Sequence, residues 1–121
     1  MNQPKCVENI MKYSSATHAL SVNPATGETL AAYPWATAEE VDRAIAQSDA
    51  GYRQWRRESV SQRAQKLRDL GAALRNRAEE MAQTISREMG KPILQARAEV
   101  AKSAALCDWY AGHGPAMLRA E

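Results

Sequence analysis

The 121-residue sequence contains no phenylalanine, only 6% aromatic positions and two cysteines. Cys6 and Cys107 are too sparse for a disulfide scaffold and match no zinc-ligand spacing, so both read as structural thiols. The two histidines, His18 and His113, have no ligand-type partner three or four positions away, which argues against a metal site built on either. No apolar run approaches the roughly 18–20 residues that span a bilayer, so a membrane partner is not expected. The opening residues, Met1-Asn2-Gln3-Pro4-Lys5, lead into no apolar segment, so a cytoplasmic protein without a secretory signal is expected. Also missing are a Gly-rich phosphate loop, a Gly-x-Ser-x-Gly elbow and a His-Glu-x-x-His pair. Spacing alone therefore predicts no chemistry.

What is present is ordinary for a folded chain: 45% hydrophobic and 25% charged positions, which exclude wholesale disorder and collagen-like structure. The length allows one small domain. The net charge of +2 is unevenly spread. Residues 53–77 hold eight cations against Glu58 and Asp69, a local charge of +6 that leaves −4 elsewhere. Such a stretch attracts phosphates, but Trp55 is its one aromatic and no nucleic-acid motif accompanies it. A solvated helix face is the simpler reading, and no nucleic-acid partner is expected.

Residues 1–17 are polar and mixed, and a frayed N-terminus is expected there. From His18 the pattern becomes extended: a short apolar segment, the turn chemistry of Asn23-Pro-Ala-Thr-Gly-Glu28, then Thr29 to Trp35. Pro24 presets a turn and Gly27 accepts the positive φ of a bulged hairpin, which predicts a hairpin over 18–35. Thr37-Ala-Glu-Glu40 is a capping box that starts a helix over about 38–57, with Val41, Ile45, Tyr52 and Trp55 at helical spacing. On it, Glu39 and Arg43 are placed for an i,i+4 pair. Ser59-Val-Ser-Gln62 is a second box. It opens a helix over 61–89 whose stripe, Leu67, Leu70, Leu74, Ala78, Met81 and Ile85, steps by 3, 4, 4, 3 and 4. Gly90 stops that helix, and Pro92 suits the first turn of the next. A third helix over 93–111 carries Ile93, Ala96, Val100, Cys107 and Tyr110, widened by Leu106 and Trp109, and Gly112-His113-Gly114-Pro115 is expected to end it. The fold class is thus mainly α: a short β-hairpin followed by three amphipathic helices.

Several of these stretches together resemble one family. Val22-Asn-Pro-Ala-Thr-Gly-Glu28, Ala50-Gly-Tyr-Arg-Gln-Trp-Arg-Arg57, Arg63-Ala-Gln-Lys-Leu-Arg-Asp-Leu70, Arg87-Glu-Met-Gly-Lys-Pro92 and Trp109-Tyr-Ala-Gly112 resemble, in order and interval, the N-terminal region of aldehyde dehydrogenases. Tyr33-Pro-Trp35, Glu88-Met-Gly-Lys-Pro92 and the run Gln95 to Ser103 are most similar to the bacterial NAD(P)-dependent succinate-semialdehyde branch of that family. The resemblance implies the first part of an α/β enzyme with a Rossmann-like cofactor domain, active as a dimer or tetramer with NAD or NADP. In such enzymes a thiolate adds to the aldehyde carbon, hydride passes to the nicotinamide, and a glutamate activates the water that releases the acid. A full member is about four times this length, so residues 18–121 read as a truncated segment that lacks the nucleophile and the base. No catalytic or cofactor-binding residue carries over, and neither cysteine matches the nucleophile's flanks. The chain alone is therefore expected to be inactive and to bind no cofactor.

Two features do carry over from the family. A cation site uses a backbone carbonyl before the Asn-Pro turn and an acid before the Gly-Lys-Pro turn, here Val22 and Glu88, and hard cations take oxygen ligands of this kind. One edge of the third helix borders the family's substrate tunnel, which places Glu99 and Lys102 near a substrate's distal carboxylate. The simpler reading of those two is a solvated i,i+3 ion pair. Expected partners are the remainder of the dehydrogenase or a second copy. The alternative function is a non-enzymatic helical interaction or oligomerisation module that uses the same apolar stripes.

Overall fold

The computed structural model describes residues 16–119. Cys6 and most of the segment expected to fray lie outside them. Strands β1 (His18–Val22) and β2 (Thr29–Pro34) form one antiparallel hairpin, with His18 opposite Pro34 and Leu20 opposite Ala32. The turn closes as its residues dictate. Asn23 Oδ1 accepts from the Ala25 N–H at 2.9 Å, and the Gly27 N–H donates to Asn23 O at 2.8 Å. Gly27 takes φ 76°, a conformation that costs glycine little. The register slips between Ser21 and Val22, the bulge that a positive-φ glycine in the turn favours.

Helix α1 (Ala38–Trp55) begins at the Thr37 capping box. The Glu40 N–H donates to Thr37 Oγ1 at 3.2 Å, and the Thr37 N–H donates to Glu40 Oε2 at 2.8 Å. The expected Glu39–Arg43 pair does not form. Glu39 instead hydrogen-bonds within the cap, to its own backbone and Thr37, which holds its carboxyl below the ordinary range. Asp49 and Arg53, 2.9 Å apart, make the i,i+4 pair on this helix. No residue of α1 is buried. Its apolar positions Val41, Ile45 and Tyr52 face solvent.

The second expected helix is divided. Helix α2 (Val60–Asn76) opens at the Ser59 capping box, and α3 (Ala78–Met89) follows after a single residue, Arg77. Arg77 leaves the helical well at φ −110°, ψ 18°. Its guanidinium reaches forward to Glu80, with Nε 2.9 Å from Oε2. Both segments pack on one neighbour, helix α4 (Ile93–Met117). The bend keeps the two halves of the 67–85 stripe on that helix, where a straight rod would carry one end away.

Helix α4 corrects the other boundary, because it runs through Gly112-His113-Gly114-Pro115 to Met117. A proline within a helix removes the hydrogen bond to the carbonyl four residues back, here that of Ala111. Arg68 on α2 supplies the missing donor: its Nη2 lies 3.3 Å from Ala111 O. An arginine 43 positions upstream thus lets the helix continue past its apparent stop.

The seam of the helical layer is made of small residues. Ala64 and Gly71 on α2, Ala82 on α3, and Ala96, Val100, Ala104 and Ala111 on α4 are buried. A β-carbon on Gly71 would stand 3.2 Å from the backbone oxygen of Ala104 and 3.3 Å from Cys107 Cβ, so α2 and α4 approach closely there.

Candidate functional site

Three places deserve a functional reading: the junction of hairpin and α3, the exposed edge of α4, and a groove between α2 and α4.

At the junction, α3 ends on Gly90 in the left-handed conformation, φ 67°, and its N–H donates to Ser86 O. The Ser86 hydroxyl donates to Lys91 O at 2.6 Å and ties the turn into α4. The hairpin turn is set against this corner, for a β-carbon on Gly90 would meet Pro24 Cγ at 2.9 Å. The Ser21 hydroxyl donates to Glu88 Oε1 at 2.7 Å across 67 residues of sequence. The strand end that carries Val22 and the acid of the turn, both expected at a cation site, are therefore brought to one corner. Val22 is buried, and Glu88 is exposed. The donor chemistry suits a hard cation in kind, oxygen from hydroxyl, carboxylate and backbone, but Glu88 is the only carboxylate of the set. No cluster of three or more His, Cys, Asp or Glu that could hold a metal occurs among the described residues. A six- to eight-ligand shell thus needs oxygens beyond these.

On the α4 edge, Glu99 pairs with Lys91 at the start of the helix, not with Lys102. Lys102 is exposed and makes no ion pair among the described residues. Nearby, Arg97 clasps Glu79 of α3 through two nitrogens, each 2.8 Å from a carboxylate oxygen. That contact holds the Glu79 carboxyl at about 2, far below its ordinary 4.5. Arg75 of α2 reaches Asp108 in the same way. The cation-rich segment is thus committed in part to bridging α4, which sequence spacing did not reveal.

The groove, of about 640 Å³, opens between the first half of α2 and the last third of α4. Leu67, Leu70, Leu106 and Tyr110 line its sides, Trp55 closes one end, and Cys107 lies in its wall. Its charged lining residues are Arg63 and Lys66, both cations. No histidine or carboxylate lines it beside Cys107, so the thiol has no base there to activate it. Arg63 Nε is buried in the wall without a hydrogen-bond partner among the described residues. At the end of α4, His113 stacks on Trp109 at 4.6 Å, and its Nδ1 lies 2.8 Å from Trp109 O, so this histidine is occupied within its own helix.

A dinucleotide has no cradle here. The described elements hold one antiparallel hairpin and no strand leading through a glycine-rich turn into a helix, the arrangement that presents amides to a pyrophosphate. Among the described residues, no helix is long and apolar enough to cross a membrane.

A mainly helical chain with an N-terminal hairpin set against a Gly-Lys-Pro corner is a recognisable part of a larger architecture. The chain belongs to the aldehyde dehydrogenase family, whose model matches residues 11–121. It is 64% identical over 111 residues to the succinate semialdehyde dehydrogenase (NAD(P)+) Sad of Escherichia coli K12, a match covering 92% of this chain and 24% of that one. A Deinococcus radiodurans succinate-semialdehyde dehydrogenase (NADP(+)) is 36% identical over 98 residues, covering 81% of this chain and 20% of that one. Among solved structures, a Burkholderia cenocepacia protein assigned to the aldehyde dehydrogenases matches with a TM-score of 0.75 at 31% identity, over 86% of this chain and 23% of that one. A Sinorhizobium meliloti NAD-dependent aldehyde dehydrogenase matches at 0.73 and 34%, over 85% and 21%. The chain thus spans about a quarter or less of the length of each relative, and it matches their N-terminal region.

Proposed function

We propose that the chain works as the N-terminal portion of a cytoplasmic, NAD(P)-dependent dehydrogenase that oxidises succinate semialdehyde to succinate, and that it is inactive alone. The observation that carries this is the 64% identity over 111 residues to the E. coli enzyme. Inactivity alone follows from the chemistry: oxidising an aldehyde through a thiohemiacetal needs a thiolate, a base and a hydride acceptor held together. The one described thiol lies in an apolar wall with none of these beside it. In this reading the chain supplies scaffold and edges. Val22 and Glu88 contribute oxygens to a cation site completed elsewhere, and Lys102, next to the committed Glu99–Lys91 pair, faces the substrate's distal carboxylate.

The test is a chimera in which residues 11–121 replace the matched stretch of the E. coli enzyme. Turnover of succinate semialdehyde within about tenfold of the parent is expected, with none from the 121-residue chain. A folded chimera without turnover overturns the assignment, and turnover by the isolated chain overturns the inactivity. In the active chimera, Lys102→Met is expected to raise KM for succinate semialdehyde several-fold with kcat little changed, as loss of a carboxylate contact does.

A further inference from the structure

We propose that the groove between α2 and α4 is the docking surface for the downstream part of a dehydrogenase polypeptide, received as an apolar segment that carries a carboxylate or carbonyl acceptor for Arg63. This rests on the functional reading above and names the partner and the surface that the reading requires.

Three observations select this occupant. The relatives carry this fold as a quarter or less of one polypeptide, so most of the chain that such a fold serves is left to pack against it. The groove is lined by Leu67, Leu70, Leu106 and Tyr110, and Leu70, Leu106 and Tyr110 are each about half exposed. A soluble monomer rarely leaves such a contiguous apolar surface bare. The charge in the walls then defines the partner's chemistry. Arg63 and Lys66 are both cations, and the buried Arg63 Nε lacks an acceptor among the described residues. A buried donor without a partner is costly, so the segment that covers it brings an oxygen. A second copy pairing groove to groove would set Arg63 and Lys66 against themselves, which like charges oppose. Leu118 also lines the groove, so polypeptide continuing beyond α4, as it does in the relatives, sets out from the groove's own wall.

Cys107 reports on the surface, because it lies in the wall as a free thiol. Its labelling by a maleimide is read by peptide mapping in the 121-residue chain and in the chimera described above. Labelling at least tenfold slower in the chimera is expected. Leu106→Asp in the chimera is expected to restore labelling or abolish soluble protein, whereas Leu94→Asp, at a position 74% exposed outside the groove, is expected to leave both unchanged. Equal labelling rates in a folded chimera overturn the proposal. So does equal protection in the isolated chain when sedimentation shows a dimer, since the occupant is then a second copy. If the fusion is insoluble, the same labelling is read on the chain co-purified with the downstream E. coli polypeptide expressed beside it, and failure to form any folded complex also overturns the proposal. Turnover is a separate readout: an active chimera with unprotected Cys107 sinks the groove and spares the function, and an inactive chimera with protected Cys107 does the reverse.

Discussion

Gly90 holds a backbone conformation and a contact that no other residue type satisfies at once. Its φ of 67° disfavours any β-carbon, and a β-carbon there would lie 2.9 Å from Pro24 Cγ. Gly90→Ala is therefore expected to cost about 1–3 kcal/mol. Pro24→Ala removes the clash but not the φ penalty, so adding it to Gly90→Ala is expected to recover part of the loss. Urea denaturation of both single variants and the double gives the coupling, and strictly additive effects would disprove the contact. A second residue-scale effect concerns pH. Arg97 holds the folded-state carboxyl of Glu79 at about 2 against an ordinary 4.5. A depressed carboxyl stabilises the fold above its unfolded value, and the stabilisation fades as pH falls from about 4.5 towards about 2. Thermal melts across that range are expected to fall less steeply for Glu79→Gln than for the parent chain. Parallel slopes would show that the pair contributes nothing in solution, as some exposed pairs do.

At the scale of elements, local chemistry was readable and remote compensation was not. Both capping boxes, the Gly90 stop and the hairpin turn depend on residues within five positions of one another, and each forms as its sequence predicts. The extension of α4 through Pro115 does not depend on neighbours. It depends on Arg68, which sits at an unremarkable helical position and donates to the carbonyl that Pro115 leaves free. Arg68→Met is accordingly expected to destabilise the parent by about 0.5–1.5 kcal/mol. In a Pro115→Ala background, where residue 115 again has an N–H for Ala111, the same change is expected to cost clearly less. Equal costs in the two backgrounds would mean that Arg68 acts through packing alone. The break at Arg77 was hidden for a related reason. The 67–85 stripe reads as unbroken, and the need for a bend arises only because both halves share α4. The same holds for the site: Val22 and Glu88 came from resemblance, while the Ser21–Glu88 bond that joins their corner, the Lys91–Glu99 pair and the groove required the fold.

For the whole molecule, what matters is the size of the buried side chains. The buried apolar residues are Val22, Val100 and five alanines; nothing larger than valine is buried among the described residues. Each buried CH₂ or methyl contributes roughly 0.8 kcal/mol, whereas ordering the backbone costs about 1–2 kcal/mol per residue, so a seam of alanines fixes how helices approach without supplying much stability. The large apolar groups that would supply it, Ile45, Trp55, Leu70, Leu106, Trp109 and Tyr110 among them, are 44% or more exposed. An 18-residue helix such as α1, with no buried residue, has little beyond its caps and propensity to hold it. The isolated chain is therefore expected to bind a hydrophobic dye strongly and to unfold over a broad, shallow urea transition, with α1 exchanging its amide protons orders of magnitude faster than the α2–α4 seam. Covering the apolar faces should reverse all three: in the chimera, dye binding should fall and α1 protection should rise to that of the seam. A sharp two-state transition with negligible dye binding in the 121-residue chain would show that its alanine seam suffices, and would favour a self-sufficient interaction module over a portion of an enzyme.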